Sequence, residues 1–269
     1  MRLTHHADRP PGHSVFERAD RARQRMSLVD LDPDLFAAVG PRELARLREV
    51  AAPVVELPAG RWAPQLGDRD AGLGLIVLDG LLCRTSGLWG EVATELIGAG
   101  DLIRPWSNGG DADALVPCSV GWSVIVPARM AILGRQVALA ASDCPGLVAA
   151  LLDRTARRSR SQGILTAIAH MKRIDLRVLV LLWHLAERCG RVTGDGVTVP
   201  LRLTHQRIAT LVGAQRPSVT AALSRMAARG LVERTARRGF VLKDAAREEL
   251  EIFCREGERA LAPLISACA

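Results

Sequence analysis

Three textures of apolar and polar positions follow one another along the chain. From about residue 53 to 133, short apolar runs (54–57, 73–78, 81–83, 92–97, 120–126 and 131–133) alternate with glycine- or proline-bearing turns. Runs of this length between turn residues predict strands, and many in succession predict an antiparallel roll or sandwich. Asp79-Gly80 lies between two runs and predicts a hairpin, and Gly98-Ala99-Gly100-Asp101 predicts another turn. From about Cys144 the period becomes helical. Val148, Leu152, Thr155, Ser159, Gln162, Thr166 and Ala169 recur at steps of four and three, flanked by Leu147, Leu151, Leu165 and Ile168. That spacing predicts a long helix with a dimer-type seam. A single buried helix is the alternative, against which Arg154, Arg157, Arg158 and Arg160 are expected to keep most of the circumference in water. Ahead of the strands, residues 1–13 read as a mobile arm, and Ser14-Val15-Phe16-Glu17 has the spacing of a capping box opening an arginine-rich helix. A further short helix is expected over 41–51, with Pro41 in its first turn.

The third texture, over 203–242, carries the function. Thr204 is a good N-cap for a first helix whose inward face is Ile208, Leu211 and Val212, with Ala209 small enough for a close crossing. Gly213 ends that helix where a positive φ is wanted, and Pro217 opens a second helix, where a missing N–H does no harm. Val219, Leu223 and Met226 form the core face of the second helix. After Gly230 a strand begins, residues 235–239 form a basic tip, and Phe240-Val241-Leu242 returns. Two helices followed by a β-hairpin predict a winged helix-turn-helix. An arbitrary helical hairpin would have to explain the turn glycine, the proline, the wing and the local charge together.

Composition sharpens this picture. Of the 269 residues, 48% are apolar, 24% charged and 3% aromatic, with a formal net charge of +7. Such a chain buries a substantial core and is not intrinsically disordered. Residues 1–171 hold 19 basic and 19 acidic side chains, whereas residues 172–244 hold 14 and 5. Clustering of the surplus in the segment with the two-helix motif points to nucleic acid. The six cysteines are never closer than 14 residues, which excludes short-spaced zinc, redox and iron–sulfur motifs and suggests reduced, mostly buried thiols. No cofactor or metal is implied. No secretory signal or membrane-length apolar run is present, so a cytoplasmic location without membrane contact is expected. Neither a nucleophile elbow nor a Walker loop appears, and an enzyme is not expected.

In this order of elements, and above all in residues 203–242, the chain resembles the CRP/FNR superfamily of bacterial transcription regulators. The resemblance extends over about residues 30–244, and includes Leu75-Ile76-Val77-Leu78-Asp79-Gly80 and Gly100-Asp101, which stand where that family has its roll. It implies an α+β fold with an arm and helix over 1–29, an effector-type antiparallel β-roll resembling a cyclic-nucleotide-binding domain over 30–143, and a dimerisation helix over 144–171. A winged helix-turn-helix over 172–244 and a C-terminal helical extension over 245–269 complete the division. The implied partners are double-stranded DNA with a palindromic site and a second copy of the chain; RNA polymerase and an unidentified small-molecule effector are further candidates. The expected DNA-binding residues are Thr204, His205, Gln206, Gln215, Arg216, Ser218, Thr220, Arg225, Arg237 and Arg238. Arg216 matches the family's guanine-reading arginine, and Gln206 matches a phosphate contact. A ligand-sensing module whose winged helix binds protein is the competing reading, against which the local basic surplus argues.

Two departures from the family's pattern matter. Cyclic-nucleotide-binding members hold the ribose with a glutamate and the phosphate with an arginine-serine pair. Here Pro105 stands near the glutamate position, and Asp111 and Asp113 occupy the region where positive charge is needed. Two carboxylates beside a phosphate repel it. The resemblance therefore implies a degenerate nucleotide pocket. Its candidate residues are Arg104, Trp106, Trp122, Ser159 and Gln162, for an unknown effector or none; tryptophans Trp62, Trp89, Trp106 and Trp122 serve either to line such a pocket or as core filling. In the second helix, Pro217 and Ala221 replace an acidic and a basic reader, so a different DNA site is expected.

Overall fold

The computed structural model describes residues 24–37, 39–64, 72–105, 116, 118–235 and 239–267, and of 256–267 the backbone alone. The predicted arm and the helix from Ser14 lie outside the described residues. The chain divides into two units, residues 1–160 and 161–269.

In the first unit the apolar runs form strands β1 (Gln24–Ser27), β2 (Ala51–Leu57), β3 (Gly60–Trp62), β4 (Gly74–Leu88), β5 (Glu91–Gly98), β6 (Leu102–Ile103) and β7 (Ser119–Leu133). They pair antiparallel in the order β1-β2-β7-β4-β5, with β3 on β7 and β6 on β4. Helices α1 (Leu28–Leu31), α2 (Pro41–Arg48) and α3 (Arg135–Ser142) flank them. Alternate residues of the long strands enter two cores. Ile76, Ala131 and Leu133 join Leu28, Leu47, Val137, Leu147 and Leu151, whereas Leu75, Val77, Met130 and Ile132 join Trp62 and Trp122. Both faces are covered, which is why these strands read as continuous apolar runs rather than as alternation.

Two local expectations are corrected here. Asp79-Gly80 is not a hairpin: both residues lie inside β4, which pairs with β7 through shifts of register between Val77 and Leu82. Gly80 has φ +90°, and a side chain there would collide with the Pro127 carbonyl of β7. A glycine facing a proline makes a bulge that bends both long strands together. The hairpin lies instead at Trp89-Gly90, where both residues have positive φ (48° and 91°), as a tight two-residue turn requires. The predicted helix over 41–51 ends at Arg48, because Ala51 already pairs with Ser27 in β2. The turn at Gly98–Asp101 forms as expected: Gly100 has φ +80°, and the Asp101 carboxylate accepts from the Gly98 N–H at 2.9 Å.

Helix α4 runs from Pro145 to His170. Its flank residues Leu147, Leu151 and Ile168 are buried, while the seam residues Val148 and Leu152 are 41% and 64% exposed. The expectation that all four arginines stay wet is wrong for two of them. Arg154 is buried against Asp32 at 2.7 Å, and Arg158 turns inward onto Glu95.

The second unit contains α5 (Ile174–Cys189), α6 (His205–Leu211), α7 (Arg216–Ala228) and α8 (Asp244–Ala267). Its four-stranded antiparallel sheet has the order β10 (Val232–Arg234), β11 (Phe240–Leu242), β9 (Gly196–Val199), β8 (Arg191–Thr193). The β8–β9 hairpin was not anticipated, although Gly194-Asp195-Gly196 is a turn signal between two β-branched runs. Among the described residues, no single helix is long and apolar enough to cross a membrane. All five described cysteines are free; Cys83 and Cys144 are buried, Cys189 is half-buried, and Cys118 and Cys254 are exposed.

Candidate nucleic-acid interface

The turn between α6 and α7 is built from local signals. The Thr204 hydroxyl accepts from the Arg207 N–H at 3.2 Å and so caps the α6 N-terminus. Ile208, Ala209, Leu211 and Val212 are buried. Gly213 then takes φ +60°, and Ala214 N–H donates to the Ala209 carbonyl at 2.9 Å, closing the helix end. A β-carbon at Gly213 would approach that of Ala169 to 3.2 Å, so the turn lies close against the last turn of α4. Pro217 occupies the first turn of α7, whose inner face is Val219, Ala222, Leu223 and Met226.

One side chain that holds this turn went unnoticed in the sequence. Arg177 of α5 donates to the carbonyls of Met171 (2.6 Å), Val212 (3.2 Å) and Gly213 (3.0 Å). These are carbonyls at helix ends, which have no partner within their own helix. The signal was a lone arginine within the apolar run of α5.

The predicted DNA-binding residues fall into three groups. Gln206, Gln215, Arg216 and Ser218 are exposed around the start of α6 and α7, and Arg216 pairs with no carboxylate among the described residues. Thr204, His205 and Thr220 are engaged within the protein. The His205 Nδ1 lies 2.8 Å from the Thr220 Oγ1, and that hydroxyl donates to the Arg216 carbonyl at 3.0 Å. Burial, and then the nearby Arg234 and Arg216, hold the His205 pKa below its usual value, which favours the neutral ring. Arg225 forms a two-pronged pair with Asp175 of α5, at 2.5 and 3.2 Å. Arg237 and Arg238 lie outside the described residues. On either side of them, the Thr235 N–H donates to the Gly239 carbonyl (3.1 Å) and the Gly239 N–H to the Thr235 hydroxyl (2.9 Å).

Arg234 adds a cation that the sequence reading did not single out. It lies over the Phe240 ring at 5.4 Å from the centroid and donates to the Leu203 carbonyl at 3.5 Å. Arg202, two residues before Thr204, is likewise exposed, and Arg207 within α6 is half-exposed.

The candidate pocket residues differ in their surroundings. Trp122 is buried and meets Trp62 edge-on at 5.5 Å, which is core filling. Arg104 and Ser159 are exposed, Gln162 is half-buried, and Trp106, Asp111 and Asp113 lie outside the described residues. Trp89 is 76% exposed at its hairpin tip. Between sheet and helix the first unit instead holds an ion-pair cluster. Arg158 grips Glu95 with two bonds (2.6 and 2.9 Å) and reaches the Leu102 carbonyl at 3.3 Å, and Arg84 lies 3.6 Å from the same carboxylate. Burial works against the Arg158 charge, and the Glu95 carboxylate outweighs it, so its pKa is raised.

Residues 176–247 match the family model of the Crp-like helix-turn-helix domain. No curated protein matches the chain. Among solved structures, FixK2 of Bradyrhizobium japonicum aligns with a TM-score of 0.54 at 18% identity, over 72% of this chain and 93% of its own. A variant of CooA from Carboxydothermus hydrogenoformans aligns at 0.55 and 16%, over 83% and 94%. A CRP-family transcriptional regulator of Thermus thermophilus aligns at 0.51 and 19%, over 72% and 95%. At these identities the likenesses are of fold. The DNA-binding motif, matched in sequence and closed by its own cap, turn glycine and wing, follows the antiparallel sheet and long helix in the same chain: residues 176–247 form a Crp-like helix-turn-helix domain, in a chain whose fold is similar to that of CRP-family transcription regulators.

Proposed function

We propose that the chain acts as a homodimer that reads a two-fold symmetric DNA site, with the N-terminal end of α7 in the major groove of each half-site. The observation that carries this reading is Arg216, exposed in the first turn of α7 and paired with no carboxylate among the described residues. An arginine so placed suits the two-pronged contact to guanine O6 and N7, which supplies about 1–3 kcal/mol of discrimination. Gln206, Gln215 and Ser218 stand beside it for phosphate or base-edge bonds, and Arg237 and Arg238 at the wing tip suit phosphate. The exposed Val148 and Leu152 on α4 support a second copy as partner, since apolar residues at steps of four and three are what a paired helix covers. Two half-sites about 34–36 Å apart then follow from the symmetry. Selection from random double-stranded DNA tests the reading: a palindrome should emerge, and Arg216→Ala should relax it at one guanine per half-site. An unchanged base preference would show that α7 does not dock this way.

We also infer that cyclic AMP does not act through the family's usual contacts. Arg154 and Arg158, which turn inward from α4, are already held, by Asp32 and by Glu95 with the Leu102 carbonyl. The arginine-serine pair is missing after Gly100-Asp101. Calorimetry should give no saturable binding at physiological nucleotide concentrations. A submicromolar affinity accompanied by tighter DNA binding would overturn this inference.

A further inference from the structure

We propose that the recognition helix reads a thymine methyl group, and that the reader is the Cγ2 methyl of Thr220. This rests on the placement of α7 in the major groove and adds a base preference that Arg216 cannot supply. A threonine at such a position ordinarily offers a hydroxyl to base edges. Here the hydroxyl has one proton, which it donates to the Arg216 carbonyl one turn back at 3.0 Å. With that proton committed, the 2.8 Å contact to His205 requires the ring to donate from Nδ1–H, so His205 further anchors the oxygen on the protein side. The Thr220 hydroxyl therefore has no proton for guanine O6 or N7 or for thymine O4. The side chain itself is exposed, and its other branch is a methyl group.

The surroundings agree. Pro217 has no N–H, and Ala221, exposed beside Thr220, ends in a methyl group, so neither competes for a polar base edge. Residues four apart lie one above the other on a helix, which sets Thr220 on the same side as Arg216, one turn further along. The groove edge available there belongs to base pairs neighbouring the guanine. Thymine is the base whose major-groove edge carries a methyl group, and apolar contact with it is a recognised mode of readout.

The experiment uses the full-length protein and its selected operator. Each thymine is replaced by deoxyuridine, symmetrically in both half-sites, which removes one methyl group and changes no hydrogen-bonding atom. For wild type, one thymine within two base pairs of the Arg216-dependent guanine should weaken binding by about 4-fold per half-site when replaced, the factor supplied by burying one carbon group. Thr220→Val keeps the methyl and should keep the penalty, whereas Thr220→Ser removes it and should bind both operators alike. Insensitivity to every deoxyuridine replacement, or a penalty that survives in Thr220→Ser, overturns the proposal. A penalty that survives there and disappears in Ala221→Gly assigns the contact to Ala221 and likewise overturns it. Loss of any guanine dependence on Arg216 would instead strike the placement of α7 itself.

Discussion

The region between the sheet and α4 in the first unit and the α6–α7 region of the second unit both depend on arginines, but they use them in opposite ways. Arg154 and Arg158 turn inward and end on Asp32 and Glu95, while Arg84 shares the Glu95 carboxylate. Around α7 the acids are few and already engaged: Asp175 takes Arg225, Glu249 takes Arg229, and Glu233 takes Lys243. Arg216 at the start of α7 remains outward, and Arg202 and Arg234 are exposed as well. The balance of charge along the chain follows the same division, 19 against 19 up to residue 171 and 14 against 5 over 172–244. Matched charge is available for internal pairing, whereas surplus charge is available for a polyanion.

Removing an internal partner should give the largest effect. Glu95→Ala leaves the half-buried Arg158 opposite a missing carboxylate; breaking a fully buried pair costs about 3–5 kcal/mol, and this partly exposed one should cost less than that. Peptide-resolved hydrogen exchange should show faster exchange in β4, β5 and the first half of α4, with α6 and α7 unchanged. Equal acceleration in both units would mean that the two regions do not unfold separately.

The seam of α4 offers the next contrast, because adjacent leucines there have opposite roles. Leu151 is 7% exposed in the core of the first unit and Leu152 is 64% exposed. Leu152→Glu should leave the fold intact, yield monomers in sedimentation, and weaken operator binding by about 10²–10⁴-fold through loss of the linked half-site. Leu151→Glu buries a charge and should unfold the first unit instead. A dimeric Leu152→Glu protein would place the subunit contact elsewhere.

The legibility of these regions differs for a physical reason. Thr204, Gly213 and Pro217 do their work within four or five residues of themselves, so cap, turn and helix start could all be read from the string. The inward arginines could not, since Arg158 meets Glu95 across 63 residues, and nothing near Arg158 announces a carboxylate. Arg177 escaped for the same reason: its acceptors are carbonyls brought to it by two other chain segments. The Asp79-Gly80 dipeptide misled because glycine beside apolar runs marks bulges as well as turns, and only the opposing Pro127 decides between them. Core filling was one of the two roles open to Trp122 in the sequence, and what decides for it is its partner Trp62, which reaches it through the β3–β7 pairing.

A smaller effect separates base reading from phosphate binding within the second unit. Arg216→Ala should lose about 1–3 kcal/mol on the selected operator and much less on unrelated DNA. Arg234→Ala should weaken all sequences nearly equally and lower the salt slope by about 0.9 for each phosphate no longer neutralised. Filter binding from low to physiological salt on both kinds of DNA checks the pair. Interchanged behaviour would assign the base contact to the wing.

The smallest effect is a dependence on pH that only the second unit should show. Its described histidines include His184 and His205, whereas the described residues of the first unit contain none. His184 is buried on α5, within 2.8 Å of the Ser161 hydroxyl. Burial first, and then Arg188, push its pKa down, with Glu187 opposing. His205 is lowered by burial, Arg234 and Arg216. A histidine whose folded pKa lies below its unfolded value near 6.5 binds protons more readily in the unfolded chain. Above that value both states are neutral and the two groups add no pH dependence. As the pH falls through 6.5 the unfolded state takes up protons first, so stability declines until the folded pKa values are passed. Exchange in α5–α7 should therefore accelerate between pH 7 and 5, after correction for the intrinsic rate, relative to β4 and β7. The double variant His184→Gln, His205→Gln should remove that divergence, and a divergence that persists in it would assign the proton uptake to other groups.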